Sequence, residues 1–225
     1  MTLTVACLFV RGEYPYTVEY VSRLRAMVER WIDRPFRFVC LTDQPDTMPP
    51  GVDPIAVERL PNCFAYWTKL ELFNPIRRWP GRVLYLDLDT LIVSSLSPIL
   101  DFLTPFAPFA LTADPPQPRQ KTIDAYGRAI FRRFNSSVMV WEGDSPAHLY
   151  LDWKPAAAAR LSGDQDWIGE QSADAVGMPR AWFPRLSEVQ RPPFDPDVKV
   201  ILTKSPKNHV ASARLPWFEP LWGAA

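Results

Sequence analysis

Val83-Leu84-Tyr85-Leu86-Asp87-Leu88-Asp89-Thr90-Leu91-Ile92-Val93 is an apolar, β-branched run broken by two aspartates. A run of this composition, bounded by Arg82 and the serines after Val93, predicts one buried strand over 82–93. Residues i and i+2 of a strand share a face, so Asp87 and Asp89 are expected side by side. Two carboxylates in apolar surroundings are costly unless a cation neutralises them. Hard oxygen donors of this kind suit Mg²⁺ or Mn²⁺. The bland alternative is a strand end whose aspartates cap a turn. Spacing alone is uninformative, because Asp-x-Asp recurs at Asp164-Gln165-Asp166 and Asp195-Pro196-Asp197. Context distinguishes the first pair: ligands of open α/β sheets bind at the carboxyl ends of strands.

Working outward, residues 2–10 are strand-like, and Val18, Val21, Leu24, Met27, Val28, Trp31 and Ile32 recur at helical spacing. Phe36–Leu41 is a second apolar strand. Strand, helix and strand in about 40 residues predict a βαβ unit and a parallel sheet. Further strands are expected at Val52–Leu60, Phe106–Ala113, Val138–Trp141 and Val198–Thr203. Helices are expected at Ala65–Phe73, Pro98–Leu103, Ser145–Trp153 and Gly163–Gln171. No repeat or linker interrupts the 225 residues, so the expectation is one α/β domain.

Composition excludes several classes. Acids and bases number 25 each, which leaves no basic excess for a nucleic-acid backbone. No apolar run approaches the roughly 18 residues that a transmembrane helix needs, and the N-terminal run lacks a basic flank, so it reads as a strand. The 25 prolines are spread along the chain, which implies stiff loops and not a proline-rich tail. Cys7, Cys40 and Cys63 are odd in number, lack metal-ligand spacing, and are expected to be reduced thiols of a cytoplasmic protein.

Four elements, in order, resemble glycosyltransferase family 8 of the GT-A fold, the glycogenin and lipopolysaccharide galactosyltransferase group. Tyr85-Leu86-Asp87-Leu88-Asp89-Thr90 is similar to its Asp-x-Asp signature, and Phe134-Asn135-Ser136-Ser137-Val138-Met139 to its Phe-Asn-[Ala/Ser]-Gly-Val-Met element. Gly163-Asp164-Gln165-Asp166 resembles its Asp-Gln segment. His209, with Pro216-Trp217 following, keeps the spacing of its C-terminal His-x-x-Gly-x-x-Lys-Pro-Trp element. The chain departs from the pattern at Ser137 and Ser212, which replace glycines, and at Leu215, which replaces the lysine that contacts the donor diphosphate.

The resemblance implies metal-dependent, retaining transfer of a sugar from a nucleotide-sugar, UDP-linked by preference, to a glycan, lipid-linked or protein acceptor. It implies Asp87, Asp89 and His209 as ligands of Mn²⁺ or Mg²⁺, with Asp87 also touching the donor. Asp164 and Gln165 would stand beside the sugar as catalytic residues, with helix capping by Ser162 or Asp164 as the alternative. Asn135 and Ser136 would orient the donor, and Arg214 could replace the missing lysine. Lys69 either reaches the donor or lies on an exposed helix face. Arg11, Gly12, Tyr14 and Tyr16, with Thr42 and Asp43, are candidates for the nucleoside pocket, a tyrosine ring stacking on the base.

Two other readings stay open. A haloacid-dehalogenase-type phosphatase also carries Asp-x-Asp after an apolar strand, but Thr90 stands too close to Asp89, and Glu219 is the single acid after Thr203 where a later acidic pair is needed. A degenerate relative would bind a nucleotide-sugar or glycan without turnover, and Leu215 is its support.

Overall fold

The computed structural model describes residues 2–12, 14–60, 63–114, 123–124, 127–128, 130, 133–203 and 215–222. Apolar strands pair where their alternation allows both faces to be covered. β1 (Leu3–Phe9) is flanked in parallel by β2 (Arg37–Thr42) and β4 (Arg82–Leu86), and β3 (Asp53–Ala56) extends the sheet beyond β2. α1 (Val18–Trp31) makes the first crossover, its stripe of Val21, Leu24, Met27 and Val28 buried. Its start follows a turn, and it ends where Ile32 takes up an extended backbone.

The 82–93 run is not one strand. β4 stops at Leu86, the chain turns through Asp87–Asp89, and β5 (Thr90–Ile92) belongs to a second sheet. Thr90 closes the turn, donating backbone and hydroxyl hydrogen bonds to the Asp87 carbonyl, at 3.2 and 2.8 Å. A tight turn replaces continued pairing.

The remaining elements are α2 (Ser97–Leu100), β6 (Phe109–Ala113), β7 (Phe134–Glu142), α3 (His148–Leu151), α4 (Pro155–Arg160), α5 (Asp164–Gln171), β8 (Val176–Met178), β9 (Val200–Leu202) and α6 (Phe218–Trp222), with a 3₁₀ helix at Ala65–Phe73. The main sheet runs β3-β2-β1-β4-β7-β6-β8, and β5 pairs antiparallel with β9. Only β7 opposes the common direction, pairing antiparallel with β4 and β6. The sheet is therefore mostly parallel, as expected. Several expected elements are shorter: Val52–Leu60 contributes four strand residues and Ser145–Trp153 a single turn of helix.

Two cores sandwich the sheet, and strand alternation divides the residues between them. Val5, Cys7, Leu84, Leu86, Val138 and Val140 face the layer holding α1, α2 and α6. Ala6, Val83, Tyr85, Met139 and Trp141 face the layer of the 3₁₀ helix, α3 and α5. Burying each such aliphatic side chain contributes about 1.5–3 kcal/mol, so register is strongly specified. The three cysteines are free thiols, Cys7 and Cys40 fully buried. Among the described residues, no helix is long and apolar enough to cross a membrane.

Candidate active site

A cavity of about 550 Å³ opens at the carboxyl ends of β1 and β4, where Asp87 and Asp89 sit. Both aspartates line it, but they do so from a turn and not from the strand alternation that the sequence suggested. The amide of Asp87 donates to the Ser137 carbonyl at 2.9 Å, which ties the turn to β7.

β7 is shaped at this point. Leu111 pairs with Met139 but Thr112 with Asn135, so Ser136–Val138 bulge away from β6. Bulges re-aim side chains beside active sites. Here Asn135 and Ser136 both line the cavity. Asn135 accepts from the Ser137 amide at 2.9 Å and donates through Nδ2 to Gln165 Oε1 at 3.2 Å. These two contacts fix which way both amides point.

Lys69 is 5% exposed, so the expectation of an exposed helix face is corrected. Its Nζ lies 3.0 Å from Asp87 Oδ1 and 3.2 Å from Asp164 Oδ2. It also donates to the Ser136 hydroxyl at 3.2 Å, and that hydroxyl donates to Asp164 Oδ2 at 3.0 Å. The Tyr85 hydroxyl, 2.6 Å from Asp87 Oδ1, completes the cluster, with the lysine over its ring. Burial opposes the lysine's charge, yet Asp164 and then Asp87 hold its pKa above the usual value. One ammonium between two carboxylates satisfies what would otherwise be an uncompensated buried charge.

Asp164 is not a helix cap. Gly163 occupies the N-cap of α5 and Ser162 lies before it, neither giving a side-chain cap bond, so the 6% exposed Asp164 carboxylate is directed to Lys69 and Ser136. Asp89 is 7% exposed. Burial, reinforced by the Asp87 charge, pushes its carboxyl up to about 7, against hydrogen bonding from Tyr16. The donor set fits a hard divalent cation: two carboxylates, with their hard oxygen donors, face one cavity. Among the described residues no group of three His, Cys, Asp or Glu completes a metal site. His209 and Arg214 lie outside the described residues.

Gly12, Tyr14 and Tyr16 line the cavity, and Gly12 is required there, since a Cβ would stand 2.3 Å from the Ala65 Cβ. Arg11, Thr42 and Asp43 do not line it. Arg11 pairs with Asp43 at 3.2 Å, and Thr42 is fully buried, accepting from the Gln44 amide at 3.0 Å. Sequence reasoning did not single out Tyr66, whose hydroxyl donates to the Ser162 carbonyl at 3.0 Å, or the Asp114–Arg185 pair at 3.0 Å. All three residues line the cavity. Tyr85 was legible in principle, standing two residues before Asp87 in the same apolar run.

No protein-family model matches this chain, and no curated protein matches it. Solved structures do. The galactosyltransferase LgtC, in complex with donor and acceptor sugar analogues, superposes with a TM-score of 0.61 at 16% identity, over 90% of this chain and 87% of that one. An active-site mutant of LgtC gives 0.63 at 17%, over 90% and 88%. The apo glycosyltransferase GlyE of Streptococcus pneumoniae TIGR4 gives 0.54 at 14%, over 81% of this chain and 46% of that one. The fold is the GT-A fold of nucleotide-sugar glycosyltransferases, and it is similar to that of the family 8 galactosyltransferase LgtC.

Proposed function

We propose that this chain, acting as one domain, is a retaining glycosyltransferase that moves a sugar from a nucleotide-sugar, UDP-linked by preference, to a glycan acceptor. The observation that carries this reading is the convergence of Asp87, Asp89, Lys69, Asn135, Asp164 and Gln165 on one cavity at the carboxyl ends of a GT-A sheet. LgtC was crystallised with donor and acceptor sugar analogues, which supports the same substrate classes here. A phosphatase of the haloacid-dehalogenase type has no support from these neighbours.

Departure of a nucleoside diphosphate requires stabilisation of its negative charge. Asp87 and Asp89 would hold Mn²⁺ or Mg²⁺, which when bound acts as a Lewis acid toward that diphosphate. Asp164, pinned by Lys69 and Ser136, is oriented to accept hydrogen bonds from sugar hydroxyls. Asn135 holds the Gln165 amide in one orientation, so that a polar group faces one side of the sugar. Fixed donors and acceptors of this kind cost no reorganisation during reaction. Tyr14, 44% exposed at the cavity wall, offers a ring face to the base. Free thiols accord with a cytoplasmic setting.

The test is incubation of the whole chain with UDP-sugars and Mn²⁺, with products followed by NMR. Metal-dependent transfer or hydrolysis that keeps the anomeric configuration is expected. An inverted product would overturn retention, and stoichiometric binding without turnover would identify the degenerate binder.

A further inference from the structure

Arg185 is a cation of the cavity wall that the donor reading leaves unused. Its guanidinium donates through Nη2 to Asp114 Oδ1 at 3.0 Å, and the pair is unequal. The Asp114 side chain is 4% exposed and the Arg185 side chain 35%, so a ligand reaches the cation and not its counter-ion. A guanidinium carries five N–H donors. Among the described residues, Asp114 takes the only side-chain hydrogen bond that Arg185 makes. The remaining donors lie in one plane and stay charged at any working pH, which suits two-point contact with a carboxylate or phosphate.

The surrounding chain holds this side chain in place. The Arg185 amide donates to Glu188 Oε2 at 2.7 Å, and Arg180 pairs with the same oxygen at 2.6 Å. Leu202 of β9 donates its amide to the Pro184 carbonyl at 2.9 Å, and Arg185 bridges Leu202 in parallel register. Asp114 directly follows β6, which lies two strands from β4 with β7 between them. Two strand spacings separate the strand ends by about 10 Å. The pair thus stands on the far side of β7 from the Asp87–Asp89 turn, and the nucleoside candidates Gly12 and Tyr14 follow β1, on the opposite side of β4. A diphosphate held at that turn is therefore remote from a guanidinium tied to Asp114. The anion that Arg185 can take belongs to the other substrate.

We propose that Arg185, held by Asp114, determines acceptor specificity by binding an anionic group, carboxylate or phosphate, on the sugar acceptor. The proposal rests on the transferase reading and names the class of acceptor within it.

The experiment first measures UDP binding to the whole chain with Mn²⁺. Calorimetry against a protein-free blank then follows binding of methyl glucoside, methyl glucuronide and glucose 6-phosphate to that complex. The proteins are wild type, Arg185→Lys, and the double variant Arg185→Gln with Asp114→Asn, which leaves no buried carboxylate unpaired. Thermal unfolding of each variant reports whether it folds. Wild type should bind one anionic probe about 10-fold more tightly than methyl glucoside, and the identity of that probe separates a carboxylate from a phosphate source. Arg185→Lys keeps the charge but not the fork and should weaken that probe, while the double variant should lose the preference. Equal affinity of wild type for all three probes, or binding of none, would overturn the proposal, as would a folded double variant that keeps the preference. If the double variant does not fold, Arg185→Lys decides, and an undiminished preference there would overturn it. Failure of wild type to bind UDP would instead remove the transferase reading, and this proposal with it.

Discussion

At the scale of single residues, the site is an arrangement of charges that the fold has to tolerate. Lys69 separates Asp87 from Asp164, and removal of its ammonium leaves two carboxylates in a largely buried place. Lys69→Met is expected to lower stability by about 3 kcal/mol at pH 7. Urea unfolding of the variant and wild type would measure the deficit. Asp89 has the opposite sign of effect. Its folded-state pKa of about 7 lies above the ordinary aspartate value, so the folded chain binds more protons between those limits and loses stability as pH rises through them. Asp89→Asn should stabilise the metal-free protein at pH 8 by on the order of 1 kcal/mol, with no gain at pH 3. A stabilised variant that no longer responds to Mn²⁺ would show fold stability given up for function.

At the scale of elements, turns and bulges place the chemistry. β4 enters through Gly81, at φ +85°, where a Cβ would stand 2.7 Å from the Thr2 carbonyl. The left-handed backbone and the close approach both require glycine. Gly81→Ala is expected to cost about 1–3 kcal/mol, read from urea midpoints, with donor affinity retained in the folded fraction. Periodicity revealed β1, β2 and α1 because each buries one regular face for its whole length. It misread 82–93 because both strands in that run are apolar. Only the turn between them, stabilised by Thr90, sends β5 to pair with β9. The 3₁₀ helix at Ala65–Phe73 stands where a short helix was expected, and eight of its nine residues are buried, which sets aside the exposed-face alternative for Lys69.

At the scale of the molecule, α6 closes the chain onto the α1 layer. Phe218 and Trp222 are 1% and 5% exposed in that core, and Glu219 pairs with Arg23. Trp222→Ala is expected to lower stability by about 3 kcal/mol, through lost packing and the void left behind, as thermal and urea unfolding would show. The same substitution removes the support of Tyr20, the ring on which Tyr16 rests.

The sequence by itself determined the α/β class, the first βαβ unit, and the placement of Asp87 and Asp89 at the end of an apolar strand. It also offered Asn135, Asp164 and Gln165 as candidates, and the structure brings them to one cavity. These follow from local alternation, helical spacing and short motifs, all of which are read within a few residues of chain. The tertiary structure alone decided that Lys69 is buried between Asp87 and Asp164 and that Arg11 turns to Asp43. Those contacts join residues 18 to 95 positions apart. The physical reason is that a charged or phenolic side chain takes its partner from whatever the packed layers bring within about 3 Å, and no local pattern records that choice.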